Sequence, residues 1–174
     1  RSICVSIDEQ VIHGIPSDRE LVEGEIVSID IGTNYRGYYG DAAVTVPIGR
    51  VSAEKRKLMR VTLRALELGI KAARAGNKVE RNGFSVIRQF VGHGIGTSPH
   101  EEPQVPNFVS ESAGPKLRPG MVLAIEPMVS AGKADVTVLE DKWTTVTVDS
   151  KPAAHFEHTV AIRDGEPEIL TLLE

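Results

Sequence analysis

The sequence predicts one α+β domain built around a largely antiparallel sheet, and two observations carry this prediction. Short segments of alternating apolar and polar residues, separated by tight turns, run through most of the 174 residues, as is typical of half-buried strands. One longer segment instead repeats its apolar residues every three or four positions, which indicates an amphipathic helix. No repeat or linker divides the chain, so we expect residues 1–174 to form a single domain.

The first half of the chain predicts a strand, a hairpin and the helix. Strands are expected at 2–7, from Glu25 onward and at 42–46, and the last two are joined by a turn at 34–38. The helix is expected to run from Ser52, a suitable N-cap, to about Ala75, with Gly76 as its stop signal. Its buried stripe is predicted to consist of Leu58, Val61, Ala65, Leu68 and Ala72.

The second half predicts further strands and a glycine-rich corner. Strands are expected at 84–91, at 121–129, around 136–148 and at 155–162, and the corner is G-H-G-I-G at 92–96. The glycine spacing in this corner does not match the G-x-G-x-x-G pattern, and no helical pattern follows it, so we reject a nucleotide-binding loop.

Composition excludes several classes of protein. A net charge of −4 leaves no broad basic face for nucleic acid, and no apolar run approaches the ~18 residues of a membrane span. Cys4 is the only cysteine, so no internal disulfide can form and a reducing compartment is the default. We therefore expect a cytoplasmic protein without direct nucleic-acid or membrane contact.

Glu126 lies inside the apolar segment M-V-L-A-I-E-P-M-V. A carboxylate buried there without a partner would cost several kcal/mol or would become protonated, and a neighbouring cation would remove that penalty. The alternative is an edge strand on which Glu126 faces water.

Asp30 and Asp41 lie on the two arms of the predicted hairpin. With a two-residue turn near Arg36 and no bulge at Gly37, both side chains project from the same face of the sheet. Two like charges on one face repel unless a positive charge lies between them. A solvated polar face is the alternative explanation.

Glu157 in H-F-E-H-T-V and His93 between two glycines complete a set of four carboxylates and one imidazole. Such an oxygen-rich set suits two hard or borderline divalent ions such as Mn, Fe(II), Co or Zn, rather than a structural zinc site of the cysteine type. Two ions about 3.5–4 Å apart can activate one water and polarise a carbonyl.

These residues also lie in stretches that resemble the type I methionine aminopeptidases of the "pita-bread" metallopeptidase superfamily. The matching stretches are S-I-C-V-S-I-D-E-Q-V-I-H-G-I-P (2–16), V-S-I-D-I-G (27–32), G-D-A-A-V-T (40–45), G-H-G-I-G (92–96), H-E-E-P-Q-V-P (100–106), L-R-P-G-M-V-L-A-I-E-P-M (117–128) and H-F-E-H-T (155–159). The related prolidases usually carry E-P-G after the apolar strand, so the methionine-specific branch fits better.

The resemblance implies a curved antiparallel sheet with helices on its outer face, and an enzyme that removes the N-terminal methionine from peptides and nascent chains with a small second residue. It implies two divalent metal ions. We expect the protein to be a monomer. The implied metal ligands are Asp30, Asp41, His93, Glu126 and Glu157.

The resemblance further implies catalytic roles for Glu126, as the proton shuttle, and for His100 and His13, which would contact the substrate. Cys4 and Trp143 match positions that line the methionine pocket. Plain core packing is the alternative for these last two residues.

The chain differs from the family pattern in two places. Family members carry a helical segment ahead of the S-I-C motif and a second long helix between the positions of Asn77 and Phe84, so we expect a shortened protein with some family helices missing. Such a loss would expose apolar strand surface. The rival hypothesis is therefore a non-catalytic or weakly active module of the same fold that binds peptides or a protein partner.

Overall fold

The computed structural model describes residues 3–73, 85–108 and 115–172. These ranges contain one α-helix, α1 (Ala53–Ala72), and fourteen strands. The strands are β1 (Ile3–Ile7), β2 (Gln10–Ile12), β3 (Ile26–Tyr35), β4 (Tyr38–Pro47), β5 (Ser85–Val86), β6 (Gly92–Gly94), β7 (Glu101–Val105), β8 (Val122–Ile125), β9 (Met128–Ser130), β10 (Val136–Val138), β11 (Thr145–Thr147), β12 (Ala153–His155), β13 (Glu157–Ala161) and β14 (Glu168–Ile169).

The predicted antiparallel architecture is confirmed. Eight strands form the main sheet in the order β1-β3-β4-β13-β8-β6-β7, and β14 also pairs with β13. Two smaller sheets have the orders β10-β11-β2 and β12-β9-β5. Within the described ranges, no helix is long and apolar enough to cross a membrane.

The β3–β4 hairpin has the predicted two-residue turn. Arg36 and Gly37 both have positive φ, 53° and 88°, as a type I′ hairpin turn requires. The register pairs Asp30 with Ala43 and Gly32 with Asp41 without a bulge. Asp30 and Asp41 therefore project from the same face, as the sequence predicted.

Helix α1 begins as predicted, but its buried stripe differs from the prediction. The Ser52 hydroxyl accepts a hydrogen bond from the Lys55 backbone N–H at 3.1 Å, which confirms the N-cap. The buried residues are Leu58, Thr62, Leu66 and Ile70. Only Leu58 belongs to the predicted stripe, whereas Val61, Ala65, Leu68 and Ala72 are half-buried.

Thr62 explains the error in the stripe. Its hydroxyl donates to the Leu58 carbonyl at 2.9 Å, so the side chain is buried with its polar atom satisfied and its methyl group free to pack. The prediction omitted Thr62 and Leu66 and instead used Val61 and Ala65, each one position earlier along the helix. The proposed stop at Gly76 lies outside the described residues.

Three predicted strands are interrupted. The segment 121–129 is not one strand, because β8 ends at Ile125 and β9 begins at Met128. Pro127 has no N–H to continue the ladder. The strand predicted at 155–162 is likewise divided at Phe156, and that around 136–148 consists of β10 and β11. Of the strand predicted at 84–91, Phe84 lies outside the described residues and only β5 is strand.

The breaks at Glu126–Pro127 and Phe156 lie side by side. β8 pairs with β13 in the main sheet, and β9 pairs with β12 in a small sheet. The segments 122–130 and 153–161 therefore both pass between the main sheet and the small sheet at neighbouring positions. Glu126 and Glu157 lie at this junction.

The main core lies between α1 and the sheet. Leu58, Leu66 and Ile70 of the helix belong to one buried cluster with sheet residues that include Ile125 and Phe156. At the opposite end of the sheet, apolar side chains are not covered in this way. Strands β1, β3 and β4 expose Ile3, Ile31 and Val44. The predicted absence of a second helix concerns residues 77–84, which lie outside the described residues.

Candidate active site

Glu126 and Glu157 are buried acids at the junction between the sheets. The Glu126 side chain is 12% exposed and that of Glu157 only 3%. Burial, and then the charges of neighbouring acids, raise the pKa of Glu126 to about 9 and the pKa of Glu157 well above its usual value. The structure therefore excludes an edge strand with Glu126 facing water.

Asp30 and Asp41 face the same cluster from the β3–β4 hairpin. Burial, followed by the nearby charge of Asp41, raises the pKa of Asp30 to about 7. The charges of both aspartates also contribute to the raised pKa values of Glu126 and Glu157. A fully solvated polar face does not account for Asp30 and Asp41, because both residues are half-buried.

His93 lies on β6, between β7 and β8. A Cβ atom at Gly92 would lie 2.3 Å from the Ala124 carbonyl oxygen, and one at Gly94 would lie 2.2 Å from that of Glu102. Only glycine on each side of His93 lets the three strands approach this closely. The two glycines therefore allow β7 and β8 to pack closely on either side of β6.

The tautomer of His93 follows from its hydrogen bond. Nδ1 lies 2.8 Å from the Gly94 carbonyl oxygen, which can only accept, so Nδ1 carries the proton. Burial lowers the pKa of His93, and the unprotonated Nε2 lies 3.4 Å from Glu126 Oε1.

One ligand atom each from Asp41, His93 and Glu157 lies within 4.8 Å of the others. Glu126 and Asp30 adjoin this group through His93 and Asp41. The Glu157 Oε1 atom is buried and has no hydrogen-bond partner among the described residues, a condition that proteins rarely leave uncorrected. Divalent cations fit this donor set, because they would satisfy that oxygen and the Nε2 lone pair and would neutralise the crowded acids.

His100, His13, Cys4 and Trp143 lie around this cluster. The rings of His100 and His93 are 4.3 Å apart. His13 adopts a left-handed backbone conformation (φ 61°), and its ring stacks on that of Trp143 at 5.0 Å. Trp143 is 50% exposed, so core packing does not describe Trp143.

Two further residues near the cluster, His155 and Phe90, were not predicted from the sequence. His155 is buried, with Nε2 3.7 Å from Glu157 Oε2 and 3.9 Å from Glu126 Oε2. Burial lowers its pKa to about 3. The alternation that places residue 155 on the side of residue 157 could have identified it. Phe90 contacts His13 edge-on at 5.9 Å, and no local pattern indicates that contact.

The antiparallel sheet and the buried cluster of acids and imidazoles define the class of protein, a metallopeptidase of the pita-bread fold. The chain belongs to metallopeptidase family M24, whose model matches residues 1–164. It is 49% identical to "Methionine aminopeptidase 1" of Bacillus subtilis over 98% of this chain and 73% of that protein. It is 50% identical to "Methionine aminopeptidase" of Clostridium perfringens over 99% of this chain and 74% of that protein.

Solved structures agree with this membership. The methionine aminopeptidase of Thermotoga maritima is 48% identical, with a TM-score of 0.94 over 98% of this chain and 74% of that one. The prolidase of Pyrococcus furiosus is 21% identical, with a TM-score of 0.73 over 100% of this chain and 50% of that one, and shows the shared fold alone. The predicted curved sheet and the predicted family are confirmed.

Proposed function

We propose that this chain is an aminopeptidase that hydrolyses the first peptide bond of peptides and nascent proteins that begin with methionine and have a small second residue. The convergence of buried acids from β3, β4, β13 and the β8–β9 junction on His93 supports this most directly. Relatives named methionine aminopeptidase, at 49–50% identity over nearly the whole chain, support the substrate and do not favour a non-catalytic binding module.

Asp30, Asp41, His93, Glu126 and Glu157 would hold two divalent ions, for which Co, Mn, Fe(II) and Zn are all chemically suitable. When bound, these ions supply the positive charge that keeps the acids ionised, activates water and polarises a carbonyl group. His93 is prepared for this role, since its Nδ1 proton is engaged by Gly94 and its Nε2 lone pair is directed into the cluster.

Glu126 would take a proton from the attacking water and deliver it to the leaving amine. Its raised pKa without cations makes its ionisation dependent on bound positive charge. His100, whose ring adjoins that of His93, would donate a hydrogen bond to the substrate carbonyl oxygen as negative charge develops there. His13 would contact the scissile amide.

Cys4 and Trp143 would line the pocket for the methionine side chain, since a thioether makes favourable contacts with an aromatic ring. The half-exposed Trp143 ring, which stacks on the His13 ring at 5.0 Å, supports this role for Trp143. We further propose that residues 1–174 act as one catalytic domain, as a cytoplasmic monomer that makes no direct contact with nucleic acid.

The test is to remove bound metal with a chelator, refill with each candidate ion, and measure both metal content and cleavage of Met-Ala-Ser. We expect two ions per chain and release of free methionine, with little cleavage of Met-Trp-Ser as the matched control. Two bound ions without cleavage of Met-Ala-Ser would contradict the enzyme and leave a binding module.

A further inference from the structure

Strands β4 and β13 carry Asp41 and Glu157, yet direct pairing between them is short. Among the described residues the ladder pairs only Ala42 with His158 and Ala43 with Glu157. Continued in both directions, the same register places Asp41 opposite Thr159 and Thr45 opposite His155. Neither of these two positions is a direct ladder pair.

Opposite Asp41, the Thr159 side chain makes the hydrogen bonds that backbone pairing would otherwise make. Its buried hydroxyl accepts a hydrogen bond from the Asp41 backbone N–H at 2.8 Å and donates one to the Asp41 carbonyl oxygen, also at 2.8 Å. Both backbone polar groups of Asp41 are thus engaged by one side-chain atom of the neighbouring strand.

Thr45 makes the same arrangement at the other position, from the opposite strand. Its hydroxyl accepts from the His155 backbone N–H at 2.9 Å and donates to the His155 carbonyl oxygen at 2.7 Å. The Ser28 hydroxyl lies 2.8 Å from it. Because a hydroxyl has a single proton and two lone pairs, Ser28 is the donor in this contact, and the bonding capacity of the Thr45 hydroxyl is filled.

We infer that Thr45 and Thr159 are positioning residues of the metal centre, which set the separation and orientation of the strands that carry Asp41 and Glu157. The inference rests on the proposed function only in that the cluster binds metal. Each hydroxyl occupies the gap between the strands and anchors the backbone of a residue in or next to the ligand set. The two threonines bracket the two direct pairs, so neither strand can slide or close on the other without breaking these bonds.

The experiment measures binding of Mn²⁺ alone by isothermal titration calorimetry after chelation. Thr45→Val and Thr159→Val keep the side-chain shape and remove the hydroxyl, whereas Thr45→Ser and Thr159→Ser keep the hydroxyl. We expect the valine variants to bind Mn²⁺ about 10–100-fold more weakly and the serine variants to stay within about threefold of the natural protein.

Thr62→Val is the matched control. Thr62 is as buried as the other two threonines, and its hydroxyl also donates to a backbone carbonyl, but within α1. We expect it to lower the melting temperature without changing Mn²⁺ affinity. If a valine variant does not fold, as judged by circular dichroism, the corresponding alanine variant replaces it with the same expectation.

Two outcomes would overturn the inference while leaving the proposed function in place. Valine variants could bind Mn²⁺ as tightly as the natural protein, or Thr62→Val could weaken binding by the same factor. A natural protein that binds no Mn²⁺ or other divalent ion would instead contradict the proposed function itself, so the two failures are distinguishable.

Discussion

Near Asp30 and Asp41, the two faces of the β3–β4 hairpin reverse the usual distribution of side chains in a sheet. The polar face, made of Ser28, Asp30, Asp41 and Thr45, points inward and is buried or half-buried. The apolar face carries Val27, Ile29, Ile31 and Val44; Val27 is buried, whereas Ile31 and Val44 are 48% and 44% exposed. An ordinary half-buried hairpin places its apolar residues against the core and its polar residues in water.

This reversal shows which face serves function. Burying acids costs free energy unless a partner compensates for the lost water, and Asp30 and Asp41 on the polar face meet His93, Glu126 and Glu157. The folded protein therefore tolerates an unfavourable arrangement that bound cations would relieve. The apolar face has no such requirement, so substitutions on the two faces should differ sharply in their effects.

The largest effect is expected for Glu126→Gln, which keeps the shape of the side chain but removes its basic oxygen. Turnover of Met-Ala-Ser should fall by about 10²–10⁴-fold, because a positioned proton shuttle contributes that much. Steady-state kinetics of the metal-loaded protein provide the measurement. If activity survived at near-natural levels, another group would have to move the proton.

His93→Ala should abolish tight binding of at least one ion, since its Nδ1 is already engaged by Gly94 and its Nε2 lies 3.4 Å from Glu126 Oε1. We expect affinity to fall by at least about 100-fold, because a direct ligand should matter more than its supporting partners. Metal content after dialysis provides the measurement. His158→Ala is a suitable control, since the His158 ring bonds instead to the Thr171 hydroxyl. Retention of two tight ions by His93→Ala would remove His93 from the ligand set.

The metal-free protein should lose stability as the pH rises from 7 to 9. Glu126, with a folded-state pKa near 9, keeps its proton in this range, whereas the unfolded chain has already lost it. The unfolded state thus binds fewer protons, and the free energy of unfolding should fall by on the order of 2 kcal/mol over these two pH units. Urea denaturation at several pH values measures this.

His155 affects stability only at acidic pH, so it does not contribute to the loss of stability expected between pH 7 and 9. Its pKa is lowered to about 3 in the folded state, so it destabilises the fold only as the pH falls below its unfolded value near 6.5. It contributes nothing between pH 7 and 9. Saturating Mn²⁺ should abolish or reverse the slope in that window, and an unchanged slope with and without the ion would contradict a site among these acids.

The smallest effect is expected on the apolar face. Ile31→Thr should change the free energy of unfolding by less than about 0.5 kcal/mol and leave Mn²⁺ affinity and turnover unchanged, because Ile31 is half exposed and points away from the cluster. Denaturation and calorimetry on this variant complete the comparison. A loss of metal binding here would show that the two faces are not independent.

Local patterns in the sequence predicted the hairpin, its turn and the N-cap because each depends on neighbouring residues. Asp30 and Asp41 could be assigned to one face since strand side chains alternate and the turn is short. The helix stripe failed at Thr62, where a hydroxyl bonded within the helix allows burial. Hydrophobicity alone does not reveal that bond.

Other features depend on contacts that no local pattern contains. The change of sheet at Glu126–Pro127 and Phe156 arises from pairing with strands distant in sequence. The threonine contacts join residues 110 and 118 positions apart. The interruption at Pro127 could be anticipated, but the threonine contacts needed the assembled sheet.

The central claim is that these acids and His93 hold two divalent ions, and anomalous diffraction from a crystal of the Mn²⁺-loaded protein tests it most directly. The account predicts two anomalous peaks within bonding distance of side chains from Asp30, Asp41, His93, Glu126 and Glu157. A map with no peak among these residues, or with the carboxylates separately hydrated, would contradict it.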